Sequence, residues 1–185
     1  MDEITSNSAT YDTGTPIYGE DYRITTHTTT EPLPLIPSQT LRIKYMHPDT
    51  KRLEKIPQGD WIDVYADADM IIPVGEAKLI PLGFCCELPK GYEAHVAPRS
   101  STYKNWGLEM VNSIGIIDES YCGDNDQWHA FYRCTKPNNG DHTVIKRGDK
   151  IAQFRIVEKM PQVNFVEVEH LNNSNRGGIG STGTT

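Results

Sequence analysis

The sequence contains no apolar run close to the roughly 20 residues that a membrane-spanning helix needs, and its start, residues 1–5, lacks the basic and apolar character of a signal peptide. Positive charge is also scarce, because 18 Lys and Arg residues face 25 Asp and Glu residues, for a net charge of -7. This balance argues against a nucleic-acid backbone as the main partner. We therefore expect a cytoplasmic protein that binds neither membranes nor nucleic acids.

Cysteine and histidine are too scattered to suggest a metal centre. The four cysteines are Cys85, Cys86, Cys122 and Cys134, and none of them forms a C-x-x-C pair. Adjacent Cys85 and Cys86 would point to opposite faces of a strand, and the 6 histidines show no ligand spacing. We expect reduced cysteines that act as small apolar residues, and no structural zinc site.

The composition divides the chain into three parts. Residues 1–40 are rich in Thr and Ser and end in Pro32, Pro34 and Pro37, so they are predicted to form a disordered N-terminal extension. Residues 41–171 carry short β-type runs separated by turn residues, which predicts a β domain. Residues 172–185 are rich in Asn, Gly, Ser and Thr, and they are predicted to form a flexible arm.

Short strands dominate the central part. Residues 41–45 alternate with period two, as a half-buried strand does. Turn signals separate the other candidate strands, which are residues 61–65, 70–72, 77–88, 92–97, 108–111, 114–117, 128–134, 151–157 and 163–169. Only residues 100–106 leave room for a short helix, with Ser100 or Ser101 as its cap. The pattern predicts an all-β sandwich, barrel or jelly roll.

The stretch from residue 112 to residue 124 is the most informative for chemistry. An apolar run delivers Asp118, Tyr121 follows three residues later, and Gly123 comes after it. This order predicts a β-hairpin whose backbone grips a small ligand, with Asp118 as a general base and Tyr121 as a stacking surface. Turn chemistry alone explains most Asp-x-x-Tyr pairs, so the interpretation depends on the other segments.

Two segments suit a phosphate group. Arg99, followed by Ser100 and Ser101, offers a planar set of donors and two hydroxyls beside a predicted helix start. The alternative for Arg99 is a salt bridge next to a capping serine. Residues 176–183 could wrap a polyphosphate with backbone amides, with Arg176 as a mobile cation, although the Gly-Lys-Ser/Thr ending of a Walker A loop is missing. The alternative for this segment is a frayed terminus.

Two polar side chains lie within apolar candidate strands. Gln153 needs a hydrogen-bond partner there, and Asp63 needs a cation. Each could serve a ligand, or each could make a buried structural contact.

Five segments in register resemble the trimeric dUTPase family, in the branch common in Gram-positive bacteria and their phages. The segments are residues 59–65, 98–101, 112–123, 148–154 and 176–183. The resemblance implies a jelly-roll-like dUTPase fold and a homotrimer with shared active sites. It also implies hydrolysis of dUTP to dUMP and pyrophosphate, with Mg²⁺ held mainly by the phosphates and water. For a phage-encoded protein, the location would be the host cytoplasm.

The resemblance also implies roles for individual residues. Asp118 would activate the attacking water, and Tyr121 would pack against the deoxyribose. Asp63 would support the site indirectly. The base and sugar would be contacted around Asn112, Ser113, Gly115 and Ile117, and the phosphates by Arg99, Ser100, Ser101, Gln153, Arg176, Gly180, Ser181 and Thr182.

Four positions depart from the family pattern, and they are Ile62, Ser120, Lys150 and Ile179. Ile179 stands where a Phe normally covers the uracil. We therefore hypothesise that an aromatic side chain from residues 124–129, either Trp128 or His129, stacks on the base instead.

Two other functions remain as alternatives. A dCTP deaminase, or its bifunctional relative, shares the fold but needs a catalytic Glu in the pocket, and strand alternation turns Glu119 the wrong way. A dUTPase scaffold that acts as a regulatory interaction protein, with a partner bound through residues 1–40, is also compatible with the sequence.

Overall fold

Eleven short strands and one helix follow one another in residues 38–178, the part of the chain that the computed structural model describes. In chain order they are β1 (Arg42–Tyr45), β2 (Ile62–Tyr65), β3 (Met70–Pro73), β4 (Ala77–Pro81), β5 (Phe84–Glu87), β6 (Tyr92–Pro98), α1 (Thr102–Trp106), β7 (Leu108–Met110), β8 (Gly115–Ile117), β9 (His129–Cys134), β10 (His142–Ile145) and β11 (Lys150–Glu158). The prediction of an all-β domain is confirmed. Most of the predicted extension, residues 1–37, lies outside the described residues.

The strands form four antiparallel sheets, with the strand orders β1-β5, β10-β3, β2-β11-β6-β8 and β4-β9-β7. The longest strand, β11, pairs with β2 on one side and with β6 on the other. Gln153 in the centre of β11 therefore stands opposite Asp63 of β2 and Ala97 of β6. This register brings distant parts of the chain together at one end of the sheet.

Aromatic side chains fill the centre of the core. The Trp128 ring lies 5.0 Å from the ring of Phe84 and 5.2 Å from that of Phe154, the latter edge-to-face. All three side chains are almost completely buried. Full burial of a large apolar side chain contributes about 1.5–3 kcal/mol, so this cluster holds the sheets together.

The helix α1 joins the end of β6 to β7. Ser101 is its N-cap residue but makes no side-chain capping hydrogen bond. The buried Thr102 hydroxyl instead accepts a hydrogen bond from Arg99 N and donates one to Ile151 O, both at 3.0 Å. Gly107 ends the helix at φ 58, where any side chain would collide with the Lys136 carbonyl. None of the described helices is long and apolar enough to cross a membrane.

The predicted strand at residues 77–88 is wrong, because the structure divides it into β4 and β5. Gly83 lies between them at φ 78, and a Cβ there would collide with the side chains of Asp67 and Thr50. A continuous strand cannot take this backbone conformation. The sequence analysis also missed β10, a short strand that follows the turn residues 137–141.

The predicted strand at residues 163–169 is not formed either. Among the described residues this segment pairs with no strand, and its apolar side chains face outward. Phe165 is 95% exposed and Val166 is 80% exposed. The segment is apolar, as the sequence indicates, but no other part of the described chain covers it.

Candidate active site

A carboxylate flanked by two cations forms one end of the β2-β11-β6 sheet. Asp63 Oδ1 lies 2.7 Å from Arg99 Nε, and Asp63 Oδ2 lies 2.9 Å from Lys150 Nζ. Arg99 Nη1 also donates to Lys150 O at 3.3 Å. The hydrogen bond that Lys150 donates to Asp63, together with the charge of that carboxylate, raises the pKa of Lys150. Arg99 and Lys150 are the groups here that suit an anionic ligand, although Glu54 and Asp60 line the same cavity.

The other predicted phosphate-binding residues on this side lie near the Asp63 group. Gln153 Nε2 donates to Pro98 O at 3.0 Å, so its amide is directed toward the chain just before Arg99. Ser100 is exposed and lines one cavity together with Asp63, Arg99, Lys150 and Gln153. Ser101 is half-buried and is not among the residues that line this cavity.

Asp118 and Tyr121 are the first and last residues of one tight turn. Tyr121 N donates to Asp118 O at 3.0 Å, which closes the turn and puts the two side chains next to each other. The turn follows β8, which pairs with β6, and the chain then returns as a loop to β9. The predicted β-hairpin is therefore wrong, because β8 and the returning segment do not pair, whereas Asp118 and Tyr121 do line one cavity.

The main-chain carbonyl of Gln127 orients two rings beside this turn. The Tyr121 hydroxyl donates to Gln127 O at 3.2 Å, and His129 Nδ1 donates to the same oxygen at 2.8 Å. Burial is the largest of the effects that raise the pKa of Tyr121. These residues line a second cavity with Ile117, Asp118, Leu79 and Ile116.

Trp128 borders the same cavity but is completely buried. Its side chain is 0% exposed and packs in the core against Phe84 and Phe154. This burial contradicts the hypothesis that Trp128 stacks on a base, because a ring with no exposed surface cannot contact a ligand in this conformation. Its Nε1 atom is buried without a hydrogen-bond partner among the described residues. His129 is exposed and stays the candidate.

The residues just before β8 lie away from the cavity lining. Asn112 and Ser113 form the turn between β7 and β8, where Ser113 has φ 60 and Ile114 N donates to Asn112 O at 2.6 Å. Gly115 packs closely against β6, since a Cβ there would lie 3.3 Å from Val96 Cβ. None of these three is among the residues that line the cavity of Tyr121. Their predicted contacts with a base stay predictions.

The two cavities share no lining residue. The described part of one chain therefore places the Asp63 group and the Asp118 turn on separate concave surfaces. Arg176 is exposed and lines neither of them. Gly180, Ser181 and Thr182 lie outside the described residues, as does Ile179.

Asp118 itself carries no side-chain hydrogen bond or ion pair to the rest of the described chain, and it is exposed. It lies on the wall of the Tyr121 cavity and also on the wall of a neighbouring cavity lined by Glu93, Glu119 and Lys159. An unpaired carboxylate at such a position is free to accept a proton from a bound water.

Sequence reasoning noted Lys150 only as a departure and missed Gln127 altogether. Strand alternation does not predict the Lys150 contact, because Lys150 lies three residues before Gln153 and β11 shifts its register against β2 between Lys150 and Ala152. Gln127 acts through its carbonyl oxygen, which no side-chain pattern reveals.

The part of the chain that the structure describes has no group of three or more His, Cys, Asp and Glu side chains that could hold a metal ion. Cys85, Cys86 and Cys134 are buried free thiols, whereas Cys122 is exposed. Burial is the main effect that raises the pKa of Cys86, to about 12.

Comparison with known proteins gives matches over most of the chain. The family model for dUTPase matches residues 61–185. The chain is 54% identical over 144 residues to the SPbeta prophage-derived deoxyuridine 5'-triphosphate nucleotidohydrolase YosS of Bacillus subtilis, covering 78% of this chain and 98% of that one. It is 35% identical over 147 residues to the deoxyuridine 5'-triphosphate nucleotidohydrolase of Clostridioides difficile, covering 77% and 97%.

Solved structures of phage proteins share the fold. A Staphylococcus bacteriophage 80alpha dUTPase mutant with dUpNHpp superimposes with a TM-score of 0.65 at 18% identity, covering 79% of this chain and 99% of that chain. A mutant dUTPase from phage phi11 of S. aureus, described for its coordination of a structural Mg(II) ion, gives 0.61 at 17% identity, covering 71% and 98%. The predicted jelly-roll-like fold is confirmed by these likenesses.

Proposed function

The chain belongs to the dUTPase family and is a dUTP diphosphatase, and we propose that it hydrolyses dUTP to dUMP and pyrophosphate with Asp118 as the base. The observation that carries the proposal is the turn that puts an unpaired Asp118 next to Tyr121. Asp118 would take a proton from a water that attacks the α-phosphorus. Tyr121, held by Gln127 O, would pack against the deoxyribose and leave no room for a 2′-hydroxyl.

The donors around Asp63 would receive the phosphates. The Asp63 carboxylate holds Arg99 and Lys150 in fixed directions, and Gln153 and Ser100 lie on the same cavity wall. The Ser101 hydroxyl, which makes no capping hydrogen bond in α1, would join these donors when the phosphates bind. Fixed donors bind a charged group at little entropic cost, which favours a defined phosphate position. Arg176, Gly180, Ser181 and Thr182 would close over the outer phosphates from the C-terminal arm.

We further propose that the complete site forms between copies of the chain in a homotrimer. The Asp118 turn and the Asp63 group lie on separate cavities of one chain, so dUTP would need both from different copies. Residues 160–171 support this assembly, because Met160, Val166 and Leu171 are 77%, 80% and 79% exposed in the single chain. A segment this apolar is expected to be covered in the functional assembly.

Mg²⁺ fits this site only as an ion that is bound to the phosphates of the substrate. Among the described residues no carboxylate cluster could hold the ion, and Asp63 is already paired with two cations. Its ligands would be phosphate oxygens and waters. When bound, the ion would neutralise phosphate charge and orient the triphosphate.

Pyrophosphate release from dUTP in the presence of Mg²⁺ tests the reaction, with dCTP, dTTP and UTP in parallel. We expect selective turnover of dUTP that falls about a thousandfold in Asp118→Asn, because that variant keeps the shape but loses the base. The melting temperature of the variant checks that it folds. Turnover that survives in Asp118→Asn would rule out Asp118 as the base.

The deaminase alternative receives no support from Glu119. Its carboxylate is taken up by Gly91 N and Lys159 Nζ, and Glu119 does not line the Tyr121 cavity. Ammonia release from dCTP would revive that alternative. The regulatory alternative stays a hypothesis, since residues 1–37 lie outside the described residues.

A further inference from the structure

Glu119 follows Asp118 directly and makes two contacts that the proposed chemistry does not use. Its Oε2 atom accepts a hydrogen bond from Gly91 N at 3.0 Å and one from Lys159 Nζ at 2.5 Å. The Glu119 side chain is 27% exposed, and that of Lys159 is 51% exposed. Lys159 is the donor that lowers the pKa of Glu119 most, followed by the Gly91 N–H. The carboxylate is therefore charged near neutral pH.

Three separate parts of the chain meet at this carboxylate. Glu119 is the second residue of the Asp118 turn, and Gly91 belongs to the turn between β5 and β6, closed by Tyr92 N donating to Pro89 O at 3.1 Å. Gly91 has φ 84, which L side chains rarely adopt. Lys159 follows the last residue of β11.

The Gly91 turn and Lys159 are also joined without Glu119. Lys159 N donates to Gly91 O at 2.9 Å, so the end of β11 and the β5–β6 turn form one fixed unit. Glu119 binds this unit by accepting one hydrogen bond from Gly91 N and one from Lys159 Nζ. The residue next to Asp118 is thus held by backbone and side-chain contacts to the main sheet.

The C-terminal segment of the chain begins at Lys159, next to the Gly91 turn. From Lys159 to residue 178 the chain has no strand or helix, and every residue is exposed. This segment leads to Arg176. The same contact that holds the Asp118 turn therefore also holds the first residue of the exposed segment 159–178, which leads into the arm.

Stability alone does not account for the pair. Ion pairs between partly exposed side chains contribute little to folding, because water screens them and the side chains lose freedom. Two donors on one carboxylate at the second position of a tight turn do restrict the direction of the first residue. In this chain the first residue is Asp118.

We propose that Glu119 is a positioning residue that fixes the Asp118 carboxylate relative to the end of β11, acting through Lys159 and Gly91 N. This inference rests on the proposed dUTP hydrolysis with Asp118 as the base. A base that is displaced by even a fraction of its contact distance loses rate in the chemical step. Substrate binding is expected to change little, because the phosphate donors lie on the separate Asp63 cavity.

The test is a double-mutant cycle on the full-length protein, with kcat and KM for dUTP as readouts. Glu119→Gln keeps an oxygen that can accept from Gly91 N but removes the charge, and Lys159→Met removes the cation. We expect each single variant to lose about tenfold in kcat with KM within about twofold of the wild type. The double variant should be no slower than the slower single variant, because both changes remove the same contact.

Two controls separate position from charge. Lys159→Arg restores a cation and should stay within about twofold of the wild type in kcat. Glu158→Gln removes a neighbouring exposed carboxylate that has no hydrogen bond or ion pair to the described chain, and it should leave kcat unchanged. Melting temperatures of all variants show whether any loss follows from unfolding.

Three results would overturn the positioning role in an active wild type. They are an unchanged kcat in Lys159→Met, losses that multiply in the double variant, or a raised KM with kcat preserved. A wild type that releases no pyrophosphate from dUTP would contradict the proposed function itself, and the inference would fall with it.

Discussion

The Asp63 cavity and the Asp118 turn carry opposite arrangements of charge. In the Asp63 cavity one carboxylate fixes two cations, and Gln153 is fixed by Pro98 O. On the turn, the side chains of Tyr121 and Glu119 are held by Gln127 O and Lys159 respectively. The Asp118 side chain has no hydrogen bond or ion pair to the described residues. The difference matches two tasks, because binding donors work best when held still and a base must keep its lone pairs free.

After the loss expected from Asp118→Asn itself, the largest effect on this comparison is expected from Asp63→Asn. The amide keeps the shape but no longer pairs Arg99 and Lys150, so both cations lose their direction. We expect kcat/KM for dUTP to fall about 10- to 100-fold, measured by pyrophosphate release. Asp60→Asn is the matched control, because Asp60 lines the same cavity and makes no hydrogen bond or ion pair to the described residues. An equal loss in both variants would show that only the charge of the cavity matters.

A smaller effect is expected from the ring on the Asp118 turn. Tyr121→Ala removes the surface that packs against the sugar, so the preference for dUTP over UTP should fall about tenfold in kcat/KM. Tyr121→Phe loses only the hydrogen bond to Gln127 O and should keep most of the preference. If Tyr121→Ala still discriminated as the wild type does, another residue would exclude the 2′-hydroxyl.

The smallest effect on activity is expected from Trp128→Phe. Trp128 borders the Tyr121 cavity but is 0% exposed and packs against Phe84 and Phe154 in the core. We expect the free energy of unfolding to fall by about 1–3 kcal/mol, toward the lower end because the change also removes the unpartnered Nε1–H. The KM for dUTP should stay within about twofold, whereas His129→Ala should raise it. A raised KM in Trp128→Phe with no loss of stability would restore Trp128 as a base contact.

The sequence could predict the Asp118 turn but not its surroundings. An Asp and a Tyr three residues apart meet in any tight turn, which is a local property of the chain. The Asp63 contacts depend on the register between β2 and β11, about 90 residues apart, and no local pattern reports it. The missing hairpin also reflects long-range pairing, because β8 pairs with β6 and not with the segment that follows the Asp118 turn.

The alternation of side chains along β9 distinguishes Trp128 from His129. Trp128, Ala130, Tyr132 and Cys134 alternate with His129, Phe131 and Arg133, and the first set is the buried one. Period two therefore assigns Trp128 to the core and His129 to the surface. At residues 163–169 the same kind of pattern misleads. Their apolar residues predict a covered strand, whereas the single chain leaves them exposed.

Subunit complementation tests the central claim that the Asp118 turn of one copy works with the Asp63 group of another. Asp118→Asn and Arg99→Ala are each expected to be inactive alone, and they would be co-expressed with different tags and purified through both. Purification through both tags leaves only mixed trimers, and in each of them one of the three sites would pair an intact Asp118 turn with an intact Arg99, so about a third of wild-type activity should return. A mixed preparation no more active than either variant alone would contradict the account.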